Sequence, residues 1–396
     1  MYDFETRLSR KNTGASKWNG MYDYNPDIPD GIVPLSVADM EFKTAPEIVE
    51  GLVEYLKNDV VFCYSAPTQR YYDAVGNWME KRHQWKVEED WLVLTTGVVQ
   101  AVYNALYAYT SPGDGVIVMT PVYHPFFSAI TNNGCDIVKN SLICSDSGYE
   151  IDFDDLEEKA AVEKNKVLIF CSPHNPVGRV WTREEIEKVA EICLRNNVLV
   201  ISDEIHFDLV MPGYKHIVMS DLSKEVAMNT ITTTAISKTF NLAGLQSSNI
   251  FIPNEELREA YKLGKKKRSL SNLSTLGYQA TIIAYETGEP WLEALIKKID
   301  ENKTLCEEFF KKEIPEVRVF ELEGTYLQWW DFRAFGLDND ELEKFLYDDA
   351  LLFLNQGYVF GEEGNGFQRV NLAAPTAVLE ESLARLLSAY NKKIKK

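Results

Sequence analysis

Short runs of β-branched and apolar residues alternate with stretches of helical periodicity through the middle of the sequence, and this alternation restricts the fold more than any other feature. The runs have the length of strands and occupy residues 91–94, 116–119, 167–171, 198–202 and 231–234. Between two of them, residues 183–196 carry their apolar side chains on one helical stripe. Strands that alternate with helices build a mostly parallel sheet covered on both faces. The sequence therefore predicts an α/β fold.

The pattern changes after about residue 285, which indicates a second domain. A smaller α+β unit is predicted by a long charged helix, two strand-like runs and two further helices, at residues 291–311, 317–320, 326–332, 341–346 and from Leu379. A chain of 396 residues is also long enough to form two hydrophobic cores. We divide it into an N-terminal segment that joins the small domain, a large domain and a small C-terminal domain, at 1–44, 45–285 and 286–396. No long polar linker separates them, so we expect a shared cleft.

Charge and composition exclude several classes of function. Acidic residues outnumber basic residues by 60 to 41, which gives a formal net charge of -19 and repels nucleic acid and anionic membranes. The one basic cluster, at residues 262–268, is interpreted as a solvated helix face. No run approaches the roughly 18 apolar residues of a membrane span, and the N-terminus lacks the apolar stretch of a signal peptide. We therefore expect a cytoplasmic protein.

The six cysteines and five histidines show no spacing typical of a metal site. The cysteines are scattered, several of them within apolar runs, so we expect buried, reduced thiols. We predict no metal centre.

Lys238 stands where the end of a predicted strand passes through Ser-Lys-Thr into a turn that contains glycine. Open parallel sheets bind their ligands beyond the carboxyl ends of the strands. Partial desolvation at that edge favours the neutral, nucleophilic amine, which suits a lysine that forms a Schiff base. Taken alone, this short motif favours an ordinary surface lysine, since the chain has many lysines.

Two other strand ends carry polar residues that suit the same chemistry. Asp203 follows the buried run 198–202, and a desolvated carboxylate needs a cationic partner, such as a protonated pyridine nitrogen. Asn175 lies in a loop held by two prolines after the run 167–171, where its amide can reach a ring oxygen, although a plain Asx turn remains the alternative. Val98 and Val99 follow Gly97 at the predicted start of a helix, whose free N–H groups bind phosphate.

These four motifs, in this order over nearly the whole chain, resemble the fold-type I pyridoxal-phosphate enzymes of the class I/II aminotransferase group. The resemblance implies a large domain with a seven-stranded, mostly parallel sheet, a smaller α+β domain, and pyridoxal 5′-phosphate as the cofactor. It further implies that Lys238 holds the cofactor, that Asp203 pairs with the ring nitrogen and that Asn175 bonds the ring hydroxyl. By the same resemblance Val98 and Val99 hold the phosphate together with Ser237 and Thr234.

The resemblance also assigns residues around the substrate, a small amino acid. Tyr123 matches the aromatic residue that stacks on the ring, with a core tyrosine as the alternative. Arg369 matches the guanidinium that grips the substrate carboxylate, with a structural ion pair as the alternative. Asp39 lies in a segment that resembles the one closing over the substrate. Tyr64 matches a tyrosine that reaches the phosphate of a neighbouring subunit, which implies a homodimer; an ordinary interface tyrosine is its alternative.

Two departures from the common aminotransferase pattern indicate a particular branch. Gln246 stands where many members have an arginine for the phosphate, and His206 where many have a tyrosine. With these departures the chain resembles the bacterial cystathionine β-lyases of the MalY/PatB type. His206 either contacts the ring or its oxygen, or is a buried histidine satisfied elsewhere, and the sequence leaves both open.

The resulting hypothesis is a carbon–sulfur β-lyase that eliminates a thiol from a sulfur amino acid and releases pyruvate and ammonia. Lys238 would act as the general base at the α carbon, and Tyr123 or another tyrosine would protonate the leaving sulfur. An aminotransferase would use the same residues, and a regulatory protein that retains the fold is a further alternative. A nicotinamide enzyme is disfavoured because no G-x-G-x-x-G follows a strand.

Overall fold

The structure is a computed structural model that describes residues 2–58 and 62–395 of the chain. Its strands are β1 (Leu92–Thr95), β2 (Gly115–Thr120), β3 (Asp136–Ser141), β4 (Ile143–Ser145), β5 (Gly148–Glu150), β6 (Asn165–Cys171), β7 (Leu199–Asp203), β8 (Thr230–Thr234), β9 (Ser248–Phe251), β10 (Arg318–Val319), β11 (Leu327–Asp331), β12 (Asn355–Gln356) and β13 (Phe367–Asn371). Its α-helices are α1 (Ser16–Tyr24), α2 (Pro46–Lys57), α3 (Gln69–His83), α4 (Val98–Tyr109), α5 (Pro125–Asn132), α6 (Phe153–Ala160), α7 (Arg183–Arg195), α8 (Lys224–Met228), α9 (Ile236–Thr239), α10 (Glu255–Lys267), α11 (Thr275–Thr287), α12 (Glu289–Glu313), α13 (Asn339–Lys344) and α14 (Thr376–Lys393).

Seven strands form the central sheet, in the order β1-β9-β8-β7-β6-β2-β3. The strands from β8 to β3 in this order pair in parallel, whereas β9 pairs antiparallel with both β1 and β8. All five runs predicted as strands lie in this sheet, and the predicted fold class is confirmed. Two strands of this sheet were not predicted. β9 is fully buried but begins with Ser248 and Asn249, so it shows no continuous apolar run, and β3 lies at an edge with only Asn140 buried.

The central strands are apolar on both faces because both faces are covered. Successive side chains of a strand point to opposite sides of the sheet. Along β6, Leu168 packs into one apolar cluster and Ile169 into another, and along β7 Val200 and Ile201 divide in the same way. Helix α7 covers one face with its apolar stripe, and it begins with a capping box between Thr182 and Glu185.

A second sheet, in the antiparallel order β10-β11-β13-β12, forms in the C-terminal part of the chain. The N-terminal part packs along it. The N–H of Asn371 donates to the carbonyl of Leu35 over 2.9 Å, and the N–H of Glu41 donates to the carbonyl of Ala373 over 2.9 Å. The division of the chain at residues 44 and 285 remains a prediction, but these contacts bring the segment before α2 beside β13.

Two smaller expectations need correction. Lys265 of the basic cluster is buried rather than solvated, because its Nζ donates to the carbonyl of Leu94 and to Oδ1 of Asn272, each over 2.7 Å. All six cysteines are free, but Cys63 and Cys144 are exposed. Across the described ranges, no helix has both the length and the apolar character needed to cross a membrane.

Candidate active site

The carboxyl ends of β6, β7 and β8 open into a cavity of about 780 Å³, a volume that includes its part open to solvent. Parallel strands place their carboxyl ends at one edge of the sheet, so residues far apart in sequence meet there. The predicted site residues that line this cavity are Val98, Val99, Tyr123, Asn175, Asp203, His206, Ser237 and Lys238.

Lys238 lies on α9, directly after β8, and its side chain is half-buried. Its Nζ donates a hydrogen bond to the carbonyl oxygen of Ala38 over 2.6 Å. Burial, and secondly the positive charge of Arg369, lower the pKa of this amine from 10.5 to about 8. A much larger fraction of the amine is therefore neutral near pH 7 than in an exposed lysine, as a nucleophile requires.

Thr239, the residue after Lys238, is held in place by a buried hydrogen-bond network. Thr239 is buried and its hydroxyl donates to Oδ2 of Asp208 over 2.8 Å. The carboxylate of Asp208 also accepts hydrogen bonds from Nε1 of Trp78 and is bonded to Nε2 of His83 over 2.8 Å. This buried network fixes the short helix that carries Lys238. Sequence reasoning missed it, since Asp208 gives no signal beyond its place in an apolar stretch.

Asp203 ends β7 and is buried. Its Oδ1 accepts hydrogen bonds from the N–H of Ile205 over 3.2 Å and from the hydroxyl of Thr233 over 3.3 Å. No ion pair involves this carboxylate within residues 2–58 and 62–395. Burial raises its pKa from 3.8 to about 7. A buried carboxylate beside a cavity, without a cation from the protein, fits a cationic ring nitrogen of a bound pyridoxal 5′-phosphate.

Helix α4 begins at the cavity, with a free N-terminus of the kind that binds anions. No side chain caps this helix, so the N–H groups of Val98 and Val99 lie at its open N-terminus. Ser237 lines the cavity with them. Thr234 does not line the cavity, and its buried hydroxyl has no hydrogen-bond partner in the described part of the chain. The structure therefore brings three of the four predicted phosphate ligands together and leaves Thr234 apart.

Arg369 lies on β13 and is buried. Its Nη1 donates to Oδ1 of Asn175 over 3.0 Å, and its Nη2 donates to Oδ1 of Asn355 over 2.5 Å. No carboxylate pairs with Arg369 among the residues that the structure describes, so the alternative of a structural ion pair is wrong there. Asn175 thus touches Arg369 and the cavity at once, which joins the predicted carboxylate site to the predicted cofactor site.

The structure does not bring the side chain of Asp39 into the cavity. Its carboxylate forms ion pairs with Arg10 over 3.0 Å and with Lys17 over 2.9 Å. The preceding residue, Ala38, lines the cavity, and its carbonyl accepts hydrogen bonds from Lys238 and from the hydroxyl of Tyr326, the latter over 2.8 Å. The segment therefore contributes its backbone. Sequence reasoning missed Ala38 and Tyr326, because a sequence does not show which backbone carbonyl accepts a hydrogen bond or which side chain donates to it.

His206 is buried, and its Nδ1 has no hydrogen-bond partner among the described residues. Its ring meets that of Tyr326 edge to face at 5.9 Å between centroids. Burial lowers the pKa of His206 well below its ordinary value, so the ring is neutral at physiological pH. His206 therefore lines the cavity with a neutral ring.

The two predicted tyrosines lie in different places. Tyr123 is half-buried, lines the cavity and has a pKa raised by burial. The side chain of Tyr64 is fully exposed and lies outside the cavity, in a groove that it shares with Thr96 and Gln246. Thr96 and Gln246 also line the cavity, so this groove adjoins the end of the cavity where α4 begins. In the described ranges no group of three or more side chains has the arrangement of a metal site.

Comparison with known proteins gives consistent matches. The model of the family "Aminotransferase class I and II" matches residues 30–386. The chain is 39% identical over 389 residues to cystathionine beta-lyase PatB of Bacillus subtilis, covering 98% of this chain and 100% of that relative. It is 33% identical over 391 residues to protein MalY of Escherichia coli, covering 98% and 99%. The crystal structure of cystalysin from Treponema denticola, which contains a pyridoxal 5′-phosphate cofactor, matches with a TM-score of 0.98 and 48% identity over 99% of each chain.

Proposed function

Because this chain belongs to the class I and II aminotransferase family, we propose that it is a pyridoxal 5′-phosphate-dependent carbon–sulfur β-lyase. It eliminates a thiol from a sulfur amino acid and leaves pyruvate and ammonia. One observation carries the proposal: a lysine amine with a lowered pKa and a buried carboxylate without a cation line the same cavity. The full-length relative named cystathionine beta-lyase supports elimination at sulfur.

The protein holds the cofactor at several separate points. Lys238 would hold it covalently, Asp203 would pair with the ring nitrogen, and Tyr123 would lie against the ring. The N–H groups of Val98 and Val99 and the hydroxyl of Ser237 hold the phosphate. When bound, the cofactor supplies an electron sink for the negative charge that forms at the α carbon of the substrate. Asp203 strengthens that sink because its negative charge keeps the ring nitrogen protonated.

Two side chains handle the protons. The ε-amine of Lys238, whose pKa burial lowers to about 8, would be neutral in a useful fraction of molecules and would accept the α proton. Burial raises the pKa of Tyr123, so its hydroxyl stays protonated and is able to donate to the departing sulfur. Arg369 holds the substrate carboxylate with charge-assisted hydrogen bonds, which fixes the α carbon against Lys238.

The test is release of pyruvate from cystathionine or cysteine by the purified holoenzyme, without an oxo-acid acceptor. We expect release by the wild-type protein and none by Lys238→Ala, which should keep its fold. Dependence of product formation on an added oxo acid would instead establish an aminotransferase. Protein that takes up no pyridoxal phosphate and releases no product would indicate a regulatory role for the fold.

We also propose that the active enzyme is a homodimer in which Tyr64 of one subunit reaches the phosphate of the other. Phe62 is 67% exposed next to the fully exposed Tyr64, and one face of α2 leaves Val49, Val53 and Leu56 exposed. Exposed apolar side chains of this kind are typical of subunit interfaces. Docking of a second copy here would cover it and fill the groove beside the phosphate end.

Mixed dimers test this arrangement. Tyr64→Ala and Lys238→Ala should each be nearly inactive alone. After refolding together in equal amounts, about one quarter of the wild-type activity should return, because each mixed dimer contains one complete site. If activity stays at the level of the single variants while light scattering shows dimers, Tyr64 does not act across the interface.

We further propose that the enzyme works in the cytoplasm. Its cysteines form no disulfide within the described residues, and Cys171 lines the cavity as a free thiol, which suits a reducing compartment. Fractionation of cells with an antibody against the native protein tests this, and recovery in an extracytoplasmic fraction would contradict it.

A further inference from the structure

Arg369 is a buried cation without a counter-ion in the described part of the protein. Only 3% of its surface is exposed, and burial lowers its pKa to about 10. Its Nε has no hydrogen-bond partner there, and its two amino groups donate to the amide oxygens of Asn175 and Asn355. The guanidinium is thus oriented by two dipoles but not neutralised.

The position of Asn355 follows from the register of the second sheet. Asn355 on β12 stands directly opposite Arg369 on β13, so the two side chains extend from the same face of the sheet. On the other side, the residue opposite Arg369 is Trp329, and the guanidinium lies 4.7 Å from the ring centroid of Phe360. Amide oxygens and aromatic rings therefore surround the charge, and each of these groups is neutral.

A carboxylate at position 355 would stabilise the fold more than an amide does. Burying an unpaired guanidinium costs several kcal/mol, and an aspartate in the same cross-strand position would offset that cost with a short ion pair. Such a pair would also remove the affinity of Arg369 for any external carboxylate. An asparagine has the same shape and keeps the hydrogen bond, but leaves the full positive charge for a ligand.

We propose that Asn355 is a positioning residue for the substrate. It orients Arg369 by a hydrogen bond, and because Asn355 is uncharged, the guanidinium remains free to form an ion pair with the α-carboxylate. This inference rests on the proposed function, in which Arg369 binds that carboxylate. It makes Asn355 a determinant of selectivity for amino acids over amines that lack the carboxylate.

The experiment compares Asn355→Asp with wild type as holoenzymes. Binding of L-cysteine and of cysteamine, which lacks only the carboxylate, is followed by the absorbance change of the bound cofactor under rapid mixing. Wild type should bind cysteine much more tightly than cysteamine. In Asn355→Asp the preference for cysteine should fall on the order of 100-fold, as expected for a competing buried ion pair, while cysteamine binds as before. KM for cysteine should rise far more than kcat falls.

Two further variants separate the effect of the added charge at position 355 from the effect of losing the hydrogen bond. Asn132→Asp adds the same charge at an exposed site on α5 and should leave the preference unchanged. Asn355→Ala removes the hydrogen bond without adding charge and should reduce the preference by about ten-fold, the cost of one hydrogen bond to a charged group. It provides the test if Asn355→Asp does not fold.

The proposal is overturned if the preference for the carboxylate is unchanged in Asn355→Asp or, should that variant not fold, in Asn355→Ala. It is equally overturned if cysteine and cysteamine lose affinity in parallel. Because binding is read from the cofactor and not from pyruvate, a wild-type protein that shows the preference but releases no pyruvate would refute the lyase function and leave the role of Asn355 standing.

Discussion

The ε-amine of Lys238 should titrate near pH 8 in cofactor-free protein, since burial and the charge of Arg369 lower its pKa from 10.5 to about 8. At pH 8 about half of these amines are neutral, against about three in a thousand for a lysine of ordinary pKa. At pH 8, Lys238 should therefore react with a small neutral reagent about 100-fold faster than a lysine of ordinary pKa. The shift corresponds to about 3 kcal/mol of preference for the neutral amine.

Competitive acetylation with trace acetic anhydride measures this pKa. Labelling of the peptide that carries Lys238 is quantified by mass spectrometry across a range of pH, with the exposed Lys311 as the internal reference. Circular dichroism at each pH confirms that the protein remains folded. The label at Lys238 should rise with pH through a midpoint near 8.

Two variants should move that midpoint in opposite directions. Arg369→Gln removes a positive charge that lowers the pKa of Lys238, so the midpoint should rise. Asp203→Asn removes a negative charge that raises this pKa, so the midpoint should fall. A midpoint above 10 in the wild-type protein, or shifts of the same sign in both variants, would refute the electrostatic account of the amine.

Three further predictions concern stability. The pKa of Asp203 is raised in the fold from 3.8 to about 7, so this group destabilises cofactor-free protein increasingly as pH rises from about 4 through 7. Asp203→Asn should stabilise it at pH 8 by up to about 4 kcal/mol in urea titrations and have little effect at pH 4, while weakening cofactor binding. Asp208→Ala should cost about 3 kcal/mol, because it leaves three buried donors without their acceptor. Gly357→Ala should cost about 3 kcal/mol or more, since the new Cβ would lie 2.2 Å from the carbonyl oxygen of Gly364, whereas Gly76→Ala on α3 meets open space and should stabilise by about 0.5 kcal/mol.

The parts of the site that were predictable from sequence lie at the ends of strands. Asn175, Asp203 and Lys238 each follow a run of β-branched or apolar residues, and the rule that parallel strands share one carboxyl edge is enough to bring them together. The start of α4 was predictable for a similar reason, since Gly97 marks a strand-to-helix turn. In these cases a local pattern and one topological rule determine the position.

Contacts between distant segments were not predictable. The carbonyl of Ala38 meets Lys238 across 200 residues and Tyr326 across 288 residues. The segment 37–42 was recognised, but the acid at Asp39 suggested a side-chain role that Arg10 and Lys17 exclude by pairing with it. Whether a side chain or the backbone of a segment faces a site depends on the ions around that segment in the folded protein. The periodicity of the sequence does not show where those ions lie.

The buried charges in and beside the cavity share one property that only the folded structure shows. Asp203 and Arg369 are both buried and opposite in sign, yet neither pairs with the other or with any other ion in the described residues. Asp208, by contrast, is buried with three hydrogen-bonding partners. Uncompensated burial weakens the fold, so it persists where a ligand supplies the missing charge. In the proposed function, a cationic ring beside Asp203 and a substrate carboxylate on Arg369 would together satisfy that requirement, so that cofactor and amino-acid substrate would each neutralise one of these two residues.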